Sequence, residues 1–218
     1  MTAGCSLVVL ALTAGCQPAA PSLPWLHGLG EVVASTEDVT DVGDLLAEGC
    51  GAGASRTLRL VADVTGTPAL ETVTASYSGG LVVTDAEHHV LARGAGYPCE
   101  GSADELDTLA VGGAYGHRTV VIAATAGGRR ETATWVGLFR PGFGGALDPV
   151  FTGEVERRVG DVVERGNIWL VPDGLLHQPP GGPTSYWPFD PVGHAYVPYG
   201  PLERREPPHV PIVDWPTT

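Results

Sequence analysis

The stretch TVVIAATAGGRRETATWVGLFR, residues 119–140, decides the fold. Two runs rich in Val, Ile, Thr and aromatic side chains, residues 119–125 and 132–140, flank Ala126-Gly127-Gly128-Arg129-Arg130-Glu131. β-Branched and aromatic side chains fit a pleated surface, and paired glycines give the backbone the freedom a tight reversal needs. The pattern predicts an antiparallel hairpin, the strongest in the chain.

The same grammar extends in both directions. Residues 71–77 and 81–85 flank Ser78-Gly79-Gly80, a second hairpin, and residues 90–93 extend it to a meander. Upstream, residues 57–64 alternate, with Leu58, Leu60 and Ala62 on one side. Downstream, residues 150–159, 167–171 and 175–178 form a third group, and residues 187–199 add one or two short strands. Two exceptions to strand are expected. Val39, Val42, Leu45 and Leu46 recur at helical spacing between Ser35-Thr36-Glu37-Asp38 and Gly49, which predicts one short N-terminal helix from Glu37 to Glu48. Ser102-Ala103-Asp104-Glu105 has the form of a capping box and predicts a helical turn. The expected fold is mainly β, with antiparallel sheets as a β-sandwich or an open, partly propeller-like meander.

Composition bounds the function. The 31 glycines and 19 prolines fall between apolar runs and read as turns, and 43% hydrophobic residues is a globular value. The formal net charge is −13, and all 12 basic residues are Arg. Such a chain repels phosphate backbones and anionic headgroups, so nucleic acid is excluded as a partner and no basic patch is expected to hold a membrane. The same charge also serves plain solubility.

The beginning of the chain carries an address. Residues 6–14 are apolar apart from Ser6 and Thr13, far too short a run to span a bilayer as a helix. Such a segment ending in small residues reads as a secretory signal. A cysteine follows at once, in Thr13-Ala14-Gly15-Cys16. This resembles the lipobox of bacterial lipoproteins, in which the cysteine sulfur is diacylated and becomes the new N-terminus. The resemblance implies a signal peptide at 1–15, lipidation of Cys16, and a membrane anchor through the N-terminal lipid. Gln17, and not Asp, after the cysteine implies the outer membrane, at its periplasmic face or the cell surface. Gln17-Pro18-Ala19-Ala20-Pro21-Ser22 suits a tether that holds a domain off a membrane. The expected layout is a lipid-anchored flexible tether over 16–30, a single β-rich domain over 31–199 and a Pro-rich tail over 200–218. An envelope address in turn implies oxidising surroundings, where Cys50 and Cys99 make a disulfide, with two free thiols as the alternative. Such a bridge would close a loop of roughly 50 residues and contribute about 4 kcal/mol.

A faint repeat is also present. Leu60-Val61-Ala62-Asp63-Val64-Thr65-Gly66 and Leu109-Ala110-Val111-Gly112-Gly113-Ala114-Tyr115-Gly116 each precede a strand. They resemble blades of FG-GAP-type propellers, which bind calcium through an acidic loop. Asp63 is the one carboxylate in the two units, so the resemblance implies the strand pattern without the cation.

No nucleophile elbow, P-loop, HExxH or EF-hand string occurs. His88-His89 are adjacent and read as turn residues, because neighbours on a strand point to opposite faces. His27, His117, His177, His194 and His209 are scattered, so neither a metal nor a cofactor is expected. Ser55, Ser76, Ser78, Ser102 and Ser185 lack a nucleophile signature, and Asp63, Asp85, Glu131, Glu154 and Glu156 form an acid/base pair only if the fold brings two together. The remaining signal is aromatic. Trp169, Tyr186, Trp187, Phe189, Tyr196 and Tyr199 lie among prolines and glycines; they either cover the end of a sheet or form a contact surface for an envelope protein or glycan. The sequence therefore reads as a non-enzymatic envelope lipoprotein that binds or scaffolds. The alternative is an envelope hydrolase whose site is assembled from dispersed residues.

Overall fold

Strands account for nearly every regular element in the computed structural model, which describes residues 23–36, 38–39, 56–96 and 104–199. In chain order, β1 (Leu26–His27) and β2 (Gly30–Ser35) come first. A meander follows of β3 (Thr57–Ala62), β4 (Glu71–Ser76), β5 (Gly80–Thr84) and β6 (Val90–Gly94). Four long strands come next: β7 (Glu105–Ala114), β8 (His117–Gly127), β9 (Glu131–Pro141) and β10 (Leu147–Val159). Then come β11 (Val162–Arg165), β12 (Asn167–Val171), β13 (Gly174–Gln178), β14 (Ser185–Asp190) and β15 (Ala195–Tyr196). They make three sheets, in the orders β3-β4-β5-β6, β11-β10-β9-β8-β7-β2 and β1-β12-β13-β14-β15. Every pairing between these strands is antiparallel except β1 with β12.

The six-stranded sheet is the middle of three layers, and β8 shows why. Val120, Val121, Ile122, Ala123 and Ala124 are all no more than 2% exposed, so both faces of this strand are buried. Val120, Ile122 and Ala124 pack with Leu58, Leu60, Val73, Leu81 and Val83 of the meander sheet. Val121 and Ala123 pack on the opposite side with Leu26, Ile168, Leu170, Leu175 and Tyr196 of the five-stranded sheet. Successive side chains on a strand point to opposite faces, so a strand with two covered faces is apolar without alternation. The hairpin at 119–140 pairs as its sequence predicts, from Val120↔Phe139 to Gly127↔Thr132. Leu58, Leu60 and Ala62 share the inner face of β3, also as expected.

Three stretches differ from expectation. At the start of the predicted helix, Asp38 bridges Leu58 antiparallel and the Val39 N–H donates to Thr57 O at 2.7 Å, so these residues extend along β3; residues 40–55, with the rest of that helix, lie outside the described residues. Asp104 and Glu105 do not turn. Glu105 opens β7, and Asp104 Oδ1 accepts from the Gly127 N–H at 3.1 Å, capping the end of β8 instead of a helix. The last residues assigned to the tether, 23–30, carry β1 and pack: Leu26 is 6% exposed and Trp25 lies against the same core. Cys16, Cys50 and Cys99 and the tail from 200 onward lie outside the described residues.

Candidate binding face

The third layer has an inner face in the core and an outer face whose side chains are mostly half-buried. Along β12, Ile168 and Leu170 face inward, leaving Asn167, Trp169 and Val171 outward. Along β13, Leu175 and His177 are buried while Leu176 and Gln178 face out. On β14, Trp187 and Phe189 pack on the core, so Tyr186 and Pro188 take the outer side. The ladders fix which outer residues become neighbours. His27 pairs with Trp169, Trp169 with Leu176, and Leu176 with Tyr186. The row continues past β14, because the Tyr199 N–H donates to Tyr186 O at 3.3 Å. Five side chains from five segments thus form one lateral row. At a strand spacing of about 4.8 Å it spans roughly 19 Å.

The row is held in place. His27 stacks on Trp169, centroids 5.5 Å apart at 22°, and His27 Nε2 lies 3.3 Å from Asn167 Oδ1. The Tyr186 hydroxyl donates to Asp173 O at 3.1 Å, which lays its ring over Gly174. A Cβ on Gly174 would stand 2.8 Å from that ring and 2.5 Å from Trp187 O, so only glycine fits there. Burial together with the Asp173 carboxylate holds the Tyr186 phenol above its ordinary range, and it stays a neutral donor.

The six aromatics singled out in the sequence therefore divide. Trp169, Tyr186 and Tyr199 share the outer row. Trp187, Phe189 and Tyr196 face the core. Trp187 meets Phe151 edge to face at 5.2 Å and His177 at 6.3 Å, and Phe189 meets Tyr196 at 5.2 Å. The Arg140 guanidinium sits 5.0 Å over Phe189 and 5.3 Å over Tyr196, and its Nη2 donates to the Tyr196 hydroxyl at 2.6 Å. Leu176 and His27 belong to the row but carried no signal in the sequence. Leu176 hides in a Leu-Leu pair, and His27 enters through a parallel pairing between residues 142 positions apart (Trp169 minus His27).

The other candidates resolve locally. Asp63 Oδ1 accepts from the Gly66 N–H at 2.7 Å, and its Oδ2 takes Arg118 at 2.8 Å, so that loop is closed by its own hydrogen bonds and an arginine. His88 and His89 do sit in the turn between β5 and β6. There His89 approaches Asp85 and Glu87, with potential ligand atoms of the three within 4.8 Å of one another. The Asp85 carboxylate already accepts from the His89 N–H at 2.8 Å and meets its Nδ1 at 3.1 Å, and Glu87 and His89 are exposed. The group is a hydrogen-bonded turn. Glu154 pairs with Arg157 through bonds of 2.7 and 2.6 Å. Glu156 meets Arg165 at 3.3 Å.

Comparison of the chain with protein-family models, curated proteins and solved structures gave no match. Among the described residues no helix is long and apolar enough to cross a membrane.

Proposed function

We propose that this protein is a non-enzymatic binding module of the bacterial cell envelope, tethered through lipidated Cys16, and that it docks an envelope protein on the outer face of the β1-β12-β13-β14-β15 sheet. The observation that carries the reading is the row His27, Trp169, Leu176, Tyr186 and Tyr199. An apolar, aromatic stripe held by backbone ladders loses little conformational entropy on contact, and Trp and Tyr dominate binding hot spots. Asn167 and Gln178, paired beside the row, offer neutral hydrogen-bonding groups at its rim. A hydrolase finds less support. The Asp107 carboxyl is pushed up by burial, but it faces Thr125, which donates at 2.6 Å. Burial holds His177 below its ordinary value, but Phe151 and Trp187 enclose it.

The address is tested by metabolic labelling with a fatty-acid probe. Label should enter the wild type and be absent from Cys16→Ala; labelling of both, or of neither, contradicts it. The docking face is tested by in-cell photocrosslinking from a photoreactive residue at position 176, with position 61 as control. Val61 is 53% exposed on the opposite outer sheet. Discrete adducts from 176 alone support the reading, and equal or absent adducts at both positions contradict it.

The expected cysteine bridge belongs to the same proposal. Arg56 lies six residues after Cys50 and Glu105 six after Cys99, and their side chains meet at 3.4 Å. That contact brings the ends of the two cysteine-bearing stretches together. Under native, non-reducing conditions Cys50 and Cys99 should both resist alkylation; modification of both would show free thiols.

A further inference from the structure

A second site lies away from the aromatic row, where the end of the middle sheet meets the β14–β15 hairpin. It is a cleft of about 470 Å³. Its apolar walls are Pro141, Phe143, Val150, Phe189 and Pro191, and its charged groups are Arg118, Arg140 and Asp148. Phe143, from the 3₁₀ turn after β9, and His194, from the β14–β15 turn, meet edge to face at 6.0 Å across the two turns that border it. Phe143 is 88% exposed and belongs to neither core cluster, so its ring is free to cover a ligand in the cleft.

Arg140 is the group that needs an account. It is half-buried, and its hydrogen-bonding partner among the described residues is a neutral phenol, Tyr196. No carboxylate of a described residue lies within ion-pairing distance of it. By contrast Arg118, at the same end of the sheet, is tied to Asp63 at 2.8 Å and Glu31 at 3.4 Å. The Arg140 Nε–H is buried and makes no hydrogen bond among the described residues, and neither does the buried hydroxyl of Thr119 on the neighbouring strand. The enclosed Nε–H is out of reach of a ligand, and Nη2 is taken by Tyr196, so the guanidinium meets the cleft through Nη1, as a half-buried cation whose charge no described carboxylate balances at ion-pairing distance. Two aromatic rings hold the guanidinium plane still, which preorganises it for a planar oxyanion. Asp148, cross-strand partner of Arg140, also lines the cleft, and its carboxylate makes no hydrogen bond or ion pair among the described residues. Its charge works against any bound anion, and about twice as strongly against a dianion as against a monoanion. We propose that this cleft binds a small organic monocarboxylate with an apolar body, its carboxylate on Arg140 and its body between Phe143, Pro141 and Pro191.

The test titrates the full chain with 3-phenylpropionate, 3-phenylpropionamide and phenyl phosphate, followed by calorimetry and by NMR shifts. Saturable binding of 3-phenylpropionate is expected, at least tenfold tighter than the amide or the phosphate ester. Arg140→Met keeps the stem over Phe189 and Tyr196 and should remove that preference. Phe143→Ser changes an exposed side chain, so it should weaken binding several-fold while leaving the melting temperature unchanged. No saturable binding of 3-phenylpropionate to the folded wild type, equal binding of the amide, or undiminished binding by Arg140→Met overturns the proposal.

Discussion

At the scale of the residue, the outer layer is fastened by side chains that close their own hydrogen bonds. His177 is 7% exposed, sits between Phe151 and Trp187, and has its Nε2 2.9 Å from Glu154 O. Burial favours the neutral ring, so its folded pKa lies below the ordinary value of about 6.5. The unfolded chain then takes up a proton that the folded chain refuses. The associated stability is complete above about pH 6.5 and declines as pH falls, by at most about 1.4 kcal/mol per unit, until the folded ring protonates. Urea melts at pH 7 and one unit below 6.5 should show this loss in the wild type, and a smaller one in His177→Gln, whose amide can still donate to Glu154 O. Equal losses in both would contradict the assignment. Gly174 makes a second residue-scale case. Gly174→Ala should cost about 1–3 kcal/mol by overpacking and displace the Tyr186 ring, seen as a changed Tyr186 ring resonance. An unchanged ring would contradict the contact between the Tyr186 ring and position 174.

At the scale of the element, strands were legible and their neighbours were not. The runs at 71–77, 81–85, 119–125 and 132–140 became β4, β5, β8 and β9, because β-branched runs broken by glycines leave little alternative. β12 is Asn167–Val171, as expected. The capping box failed because Asp104 found a better use: its carboxylate caps a strand end 23 residues away. Local patterns cannot anticipate a partner at that distance. The same limit governs the site. Trp169 and Tyr186 were marked by residue type, but nothing local says that Leu176 lies between them, or that Trp187 turns inward. The face follows from alternation once register is known, and register is set by pairing. The row itself makes a prediction at this scale. Leu176→Arg should leave the fold intact, at a cost of about 1 kcal/mol or less by urea melt, because the half-buried side chain lies on the outer face and belongs to neither core cluster. A loss of several kcal/mol would place Leu176 in the core instead.

At the scale of the whole molecule, the architecture follows from one sheet being apolar on both sides. Each outer sheet covers one face of it, and neither core cluster closes without β8. The continuous apolar run Val120-Val121-Ile122-Ala123-Ala124 is the sequence signal for this; read alone, it marks a strand without saying that two further sheets will cover it. Because Val121 and Ile122 serve opposite cores on adjacent positions, the layers should unfold together. Val121→Ala and Ile122→Ala should each lower a single shared transition, by about 1–4 kcal/mol, with tryptophan fluorescence and far-UV dichroism coincident. Separate transitions would mean that the layers are independent.

The proposed docking sets the outer face of the β1-β12-β13-β14-β15 sheet against a partner protein. Its most direct test is the double variant Trp169→Ala/Tyr186→Ala, with crosslinking yield from position 176 and melting temperature measured side by side. The account predicts that the discrete adducts disappear while the fold keeps most of its stability. Adducts that persist, or that fade only in step with the melting temperature, would contradict it.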